Sequence, residues 1–474
     1  MTRVPHRTTV HPFRPGVGAA GQSAGEAGRF AEALLPRVMG PRLAAALGGA
    51  DGRSPRACHV LDAKYEPGHR AVVLYQSAEH LVRGDLLGDE MLGDEMLGGD
   101  WLGDGPLGAG GPALADGPVV APGVRLSVFP YDPDLPWLRR VLDPAVLADR
   151  MRAALGDRAS TRNRRCRVRL LRYRPGKRAT LWMEFGPGDP AYVVKVYHDP
   201  DKASAVAREG RALAVAPSPA GVLRLAPPVA HFPDLATVVQ EAVPGVPLER
   251  LWARGRARPA ASAAGAVAGI RQAARALAEL HAYPVISTRE RPVERELRRF
   301  GLRAARIATV DEPLGTALAA LAERLLRTRS AVAHTGAGND GLVHGDCKPS
   351  QFLLDGHRVV MLDLDHCGVA HLAGDLGTFL ASLTQQAVRG RLVGGRPADA
   401  DLLAVLGEEF LTAYIRTRGG GDDPGARLEA RWYEAVALER KALRAFARAP
   451  RSPLPGALAA QAHRCLDKLE RTRP

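Results

Sequence analysis

Between residues 58 and 243 of this 474-residue chain, the apolar positions fall mainly in short β-type runs separated by turn residues. Beyond 263 they fall mostly at helical spacing. The runs Val124–Phe129, Tyr192–Tyr197 and Thr237–Val243 predict strands. Phe30–Leu47, Pro144–Leu155 and Ala203–Ala214 predict helices, as do the longer Ala263–Ala282, Pro313–Arg327, Asp401–Arg416 and Ala426–Arg448. Two β-type runs, Phe352–Leu354 and Val359–Leu362, interrupt the helical half. They meet at Asp355-Gly356, a strong short-range hairpin signal. Residues 1–28 are rich in Gly, Pro, Ser and Ala and predict a disordered or loosely docked segment.

An internal repeat lies in the β-rich half. Cys58–Ala71 matches Cys166–Ala179 at a constant offset of 108, with seven of fourteen positions identical. Each copy places Pro-Gly between β-type runs, so each predicts a hairpin and together they imply a duplicated half-lobe. The copies then diverge. After the second comes a strand bearing Lys195 and a helix bearing Glu209. After the first comes Val124–Phe129, without lysine, and Pro144–Leu155, without glutamate. The second copy is therefore expected to be the working lobe and the first a structural or substrate-facing cap. Residues 83–118 form a low-complexity insert with a five-residue, Gly-rich period that suits neither helix nor strand, and a mobile loop is expected there. The turn Tyr173–Arg178 has two readings, a phosphate-covering loop or a purely structural turn.

Residues 342–365 carry the chemistry. Asp346 sits in a short loop, Gln351 follows five residues later, and the second β-type run delivers Asp363 at its end. Phosphoryl transfer needs a carboxylate that orients the acceptor hydroxyl, with an amide and a second carboxylate to hold Mg²⁺ against the nucleotide phosphates. Asp365 has two readings, a member of the metal shell or a tie for the loop. His344 is expected to brace the loop, and Asp375 to cap its helix or pin the catalytic loop.

His344-Gly345-Asp346-x4-Gln351, then Leu362-Asp363-Leu364-Asp365, then Asp375-Leu376-Gly377, resembles the aminoglycoside phosphotransferase and choline kinase-like superfamily. The resemblance covers roughly 165–385. It implies an α+β, bilobal protein-kinase-like fold with a small antiparallel-sheet N-lobe and a mainly helical C-lobe, preceded here by a cap containing the duplicated hairpin. It also implies ATP and Mg²⁺ as cofactors, with Asp346 catalytic and Gln351 and Asp363 as metal ligands. On the same basis Lys195 and Glu209 grip the nucleotide phosphates, and the backbone at Gln240 and Ala242 meets the adenine edge. Gln351 departs from the usual Asn, a change shared with maltokinase-like branches. The expected domains are an N-terminal extension (1–50), the cap (51–157), the N-lobe (158–243) and the C-lobe (244–474).

Composition adds limits. The net charge is +14, yet the 65 basic residues include only seven lysines, and the arginines are scattered among acids with no aromatic-interleaved stripe. Nucleic-acid binding is not expected. Dense Arg on the late helices reads either as a solvated face or as contact with an acidic acceptor. Five widely spaced cysteines support neither a zinc site nor a disulfide framework, which fits a reducing cytoplasm. No run of 18 apolar residues and no signal-peptide core occurs, so no membrane partner is expected. The leading function is transfer of the γ-phosphate of ATP to a hydroxyl of a small molecule. A sugar kinase and a nucleotide-binding regulatory module are the alternatives.

Overall fold

The computed structural model describes residues 25–471 except 48–57, 79, 88–117, 122, 157–165, 187, 217–220, 253–262, 286, 288, 334–339, 395–396, 420 and 422. Most of the expected low-complexity insert lies outside the described residues. The chain divides into two compact units, one of Met1–Ser204, Val229–Val239 and Phe446–Ser452, the other of Ala205–Pro228, Gln240–Ala445 and Pro453–Pro474.

The first unit begins with helices α1 (Glu26–Ala33) and α2 (Pro36–Ala46). The single helix expected over Phe30–Leu47 is split because Leu35 is extended (φ −92°, ψ 110°) and Pro36, which has no N–H to lose, opens a new helix. Two five-stranded sheets follow. The first contains β1 (Cys58–Glu66), β2 (Arg70–Ser77), β3 (His80–Leu86), β4 (Val119–Val120) and β5 (Val124–Val128) in the order β1-β2-β3-β5-β4. After α3 (Leu138–Leu142) and α4 (Pro144–Leu155), β6 (Arg167–Arg174), β7 (Arg178–Glu184) and β8 (Ala191–Tyr197) pair antiparallel. Past α5 (Pro200–Val215) and β9 (Leu223–Leu225), β10 (Pro228–Phe232) and β11 (Thr237–Glu241) complete the second sheet, β10-β11-β8-β7-β6.

The hairpins β1–β2 and β6–β7 close identically. Glu66 pairs with Arg70 and Arg174 with Arg178. The amides of His69 and Lys177 donate to the carbonyls of Glu66 and Arg174, each at 3.0 Å. Pro at the first central position and Gly with φ +64° at the second (Gly68, Gly176) are what a type II turn requires. The bulges differ, falling between Val60 and Asp62 in one copy and between Leu170 and Arg172 in the other.

The third strand of the first copy is β3, not the expected Val124–Phe129. Its last residues, Arg83–Leu86, had merged into the low-complexity run. By register Val72 pairs with Asp85 just as Thr180 pairs with Lys195, so an acid stands where the second copy has its lysine. Residues on both sides of the expected 157/158 boundary share one core, with Leu74, Leu138 and Met151 packed in the same cluster as Tyr173, Leu181 and Val194.

The second unit is mainly helical. It contains β12 (Val246–Pro247), α6 (Ala263–Leu280), α7 (Val293–Ala308), α8 (Glu312–Ala333), β13 (Asp340–Val343), β14 (Phe352–Asp355), β15 (Arg358–Met361) and β16 (Gly368–His371). It ends with α9 (Ala373–Leu392), α10 (Pro397–Thr417), α11 (Pro424–Arg448) and α12 (Leu454–Arg471). Strands β12, β14, β15 and β9 form one sheet, and β13 pairs antiparallel with β16. Ile270, Leu277, Phe352, Phe379 and Phe410 are completely buried in the core that carries these strands. The hairpin expected at Asp355-Gly356 turns one residue later: Asp355 pairs with Arg358, leaving Gly356 (φ +60°) and His357 as the loop. No helix among the described residues is long and apolar enough to cross a membrane.

Candidate active site

The loop bearing Asp346 starts where β13 leaves its pairing with β16, at Val343↔Gly368. Gly345 has φ +76°, and a Cβ there would collide with the carbonyl oxygen of His366, so only glycine suits the position. Asp375, buried on α9, holds the loop from below. It accepts from the amides of His344 (2.6 Å) and Gly345 (2.9 Å), and His281 Nε2 lies 3.2 Å from its Oδ2. Burial pushes the Asp375 carboxyl up, but His281, His344 and these hydrogen bonds hold it below the ordinary range. It makes no helix-capping bond, so of its two expected roles the structure selects loop pinning. His281, whose Nδ1 lies 2.7 Å from Tyr414 Oη, went unassigned in the sequence because nothing there marks a helix-end histidine as a partner.

His344 is completely buried and braces the loop as expected. Its Nε2 is 2.8 Å from the carbonyl oxygen of Leu362, which can only accept, so Nε2 carries the proton. Its Nδ1 accepts from the Asp346 amide at 3.2 Å. Both ring nitrogens are therefore committed, and the ring ties the Asp346 loop to the strand end that delivers Asp363.

Asp346 keeps 20% of its side chain exposed. Lys348 Nζ donates to its Oδ2 at 2.5 Å, and Gln351 Nε2 approaches the same oxygen at 3.5 Å. Burial raises the Asp346 pKa, but Lys348, Arg444 and His366 outweigh it and hold the carboxylate ionised below its usual range. With its NH₂ turned towards Asp346, Gln351 has its amide oxygen as the end able to serve a cation. Leu362 N donates to the Gln351 carbonyl at 2.8 Å, joining the two segments again. Asp363 adopts the left-handed conformation (φ 59°, ψ 50°), which costs a non-glycine residue about 1–2 kcal/mol. Such strain is concentrated at functional positions. Asp365 is buried.

The nucleotide candidates divide between the units. Lys195 is buried on β8 in the first. Glu209, Gln240 and Ala242 belong to the second. Glu209 grips Arg289, accepting from Nε at 2.9 Å and from Nη2, and Ser287 Oγ adds a third bond at 3.2 Å. Arg289 Nη1 in turn reaches the Asp365 carbonyl at 3.3 Å. Gln240 Nε2 donates to the Ala226 carbonyl at 2.7 Å. Glu209, Gln240 and Asp365 line a narrow cleft walled by Leu213, Leu225 and Leu364.

The Tyr173–Arg178 turn is clamped. Asp132 Oδ2 accepts from the Gly176 amide at 2.7 Å and from Tyr173 Oη at 2.8 Å. A Gly176 amide already committed to a carboxylate favours the structural reading of this turn over the phosphate-covering one. Asp132 also binds Arg83, whose remaining nitrogens reach Asp85 (2.6 and 2.8 Å) and Asp134 (2.8 Å).

Among the described residues no group of three or more His, Cys, Asp or Glu could by itself hold a metal ion. An Asp–Gln pair of hard oxygen donors suits Mg²⁺, which commonly binds through one or two carboxylates completed by substrate phosphates.

Residues 180–428 match the model of the phosphotransferase enzyme family, more than half of the chain. No curated protein sequence matches it. Among solved structures, a choline/ethanolamine kinase family protein from Mesorhizobium loti is 18% identical with a TM-score of 0.41, the match covering 69% of this chain and 95% of that one. A choline kinase from Cryptosporidium parvum is 11% identical with a TM-score of 0.48, covering 69% and 96%. A macrolide 2'-phosphotransferase from Brachybacterium faecium is 18% identical with a TM-score of 0.38, covering 66% and 97%.

Proposed function

This chain belongs to the phosphotransferase enzyme family, and on that premise we propose that it transfers the γ-phosphate of ATP to a hydroxyl group of a small-molecule acceptor, using Mg²⁺. The observation that carries the reading is the Asp346 carboxylate. It is partly exposed and held ionised by Lys348 on a loop fastened to the segment that ends in Asp363.

Asp346 accepts a hydrogen bond from the acceptor hydroxyl and aims its oxygen at the γ-phosphorus. With its pKa below the usual range it is a weak base, so orientation is its main contribution and the proton moves late. The acceptor O–P bond forms, the bond from γ-phosphorus to the β–γ bridging oxygen breaks, and ADP leaves with that electron pair. The hydroxyl proton passes to Asp346 and then to solvent. Asp363 and the Gln351 amide oxygen would hold Mg²⁺, which when bound neutralises phosphate charge. Lys195 is the candidate cation for the phosphates. Glu209 acts at one remove, through Arg289 on the backbone at Asp365, and the backbone at Gln240 and Ala242 is the candidate adenine contact.

Steady-state turnover of Mg·ATP across a panel of hydroxylated acceptors tests this. Turnover should depend on the acceptor and fall about 10²–10⁴-fold in Asp346→Ala. ATP binding without phosphorylation of any acceptor would contradict the proposal.

A further inference from the structure

The surroundings of Asp346 are basic. Arg440, Lys441 and Arg444 lie on α11 at spacings that put Arg440 above Arg444 and Lys441 beside them. Arg444 acts electrostatically on Asp346, and Asp346, Lys348, Arg440 and Arg444 all act on Lys441. Arg440 is occupied, with Nε and Nη2 on the two carboxylate oxygens of Glu296 at 2.5 and 2.8 Å. Lys348 is paired with Asp346.

Lys441 differs. Its ammonium donates to Ser382 Oγ at 3.1 Å and Gln385 Oε1 at 3.4 Å, both neutral oxygens of α9, and among the described residues it has no carboxylate partner. A partly buried cation with only neutral partners has lost hydration without gaining a counter-ion. Burial, then Lys348 and Arg444, push it down to about 7 despite Asp346. A solvated helix face would give no such shift. An anion beside this lysine would restore its full charge.

We propose that the acceptor carries an anionic group, a phosphate or a carboxylate, which Lys441 binds while its hydroxyl meets Asp346. The inference rests on the phosphotransferase reading and deepens it. A cationic acceptor would meet Lys348, Lys441 and Arg444 as like charges and be excluded by repulsion.

The experiment compares kcat/KM for glycerol 3-phosphate, gluconate, glucose, choline and kanamycin at saturating Mg·ATP, in the wild type, Lys441→Gln and Lys441→Arg. The two anions should be preferred, and which is better separates phosphate from carboxylate recognition. Lys441→Gln should raise KM for the preferred anion about tenfold or more, the size expected of one charge-assisted hydrogen bond, with kcat changed far less. Lys441→Arg should restore most of the loss, and the uncharged glucose should be indifferent to both variants. Preference for choline, kanamycin or glucose, or an unchanged KM for the anion in Lys441→Gln, would overturn the inference and leave the phosphotransferase reading standing. Failure to phosphorylate any of the five would count against both.

Discussion

Arg83 and Asp346 each sit among opposite charges, but the two clusters are built to different ends. Around Arg83 the accounts are closed. The guanidinium is 5% exposed, its three nitrogens go to Asp85, Asp132 and Asp134, and both oxygens of Asp132 are committed to further donors. Around Asp346 the charges remain partly open to solvent, and among the described residues Lys441 has neutral partners only. A closed cluster fixes structure, here a hairpin turn. An open one retains charge, and on the proposed function a substrate uses it.

The largest effect that would sharpen the contrast is on stability. Asp132→Ala strands Tyr173 Oη, the Gly176 amide and part of Arg83 at once, and is expected to destabilise the protein by about 3–5 kcal/mol in denaturant unfolding. The fraction that remains folded should retain its kcat. Asp375→Asn probes a closed carboxylate inside the open cluster. Its loss of an acceptor for the His344 or Gly345 amide should cost about 1–3 kcal/mol. Because that loop carries Asp346, kcat should fall while KM for ATP moves little. An unchanged kcat would mean that the pin does not position the catalytic loop.

A pH dependence, spread over several pH units, extends the comparison. Glu439 on α11 is completely buried, neither carboxylate oxygen has a hydrogen-bond partner among the described residues, and burial, then Glu296, pushes its pKa from 4.5 to about 9. The folded state therefore binds a proton that the unfolded state has released between those two values. The resulting stability is fully present below the unfolded pKa and is lost as pH rises towards about 9, by at most about 1.4 kcal/mol per pH unit. Glu439→Gln should flatten the fall in Tm between pH 5.5 and 8.5, and a slope equal to the wild type's would place the proton elsewhere.

The segment holding the open cluster could be located from the sequence, because the candidates Asp346, Gln351 and Asp363 lie within eighteen residues. The hairpin turns were legible too, since Pro-Gly states its own backbone geometry. The closed cluster was not. Arg83 and Asp132 lie 49 residues apart and no local pattern pairs them; the same holds for Glu209 and Arg289, 80 apart in the other unit. The left-handed backbone at Asp363 was hidden because no glycine marks it. Strand β3 was hidden where its last four residues run into the low-complexity segment. Lys441 was hidden among the arginines of α11, where sequence alone does not separate a solvated face from one turned towards a site.

Single-turnover transfer of labelled γ-phosphate from Mg·ATP to the preferred acceptor, in wild type and Asp346→Asn, tests the central claim most directly. The account predicts transfer in the wild type, a loss of about 10²-fold or more in the variant, and unchanged Tm and ATP affinity. Equal transfer in both proteins, or a variant that fails only because it unfolds, would return Asp346 to the structural class that Asp132 occupies.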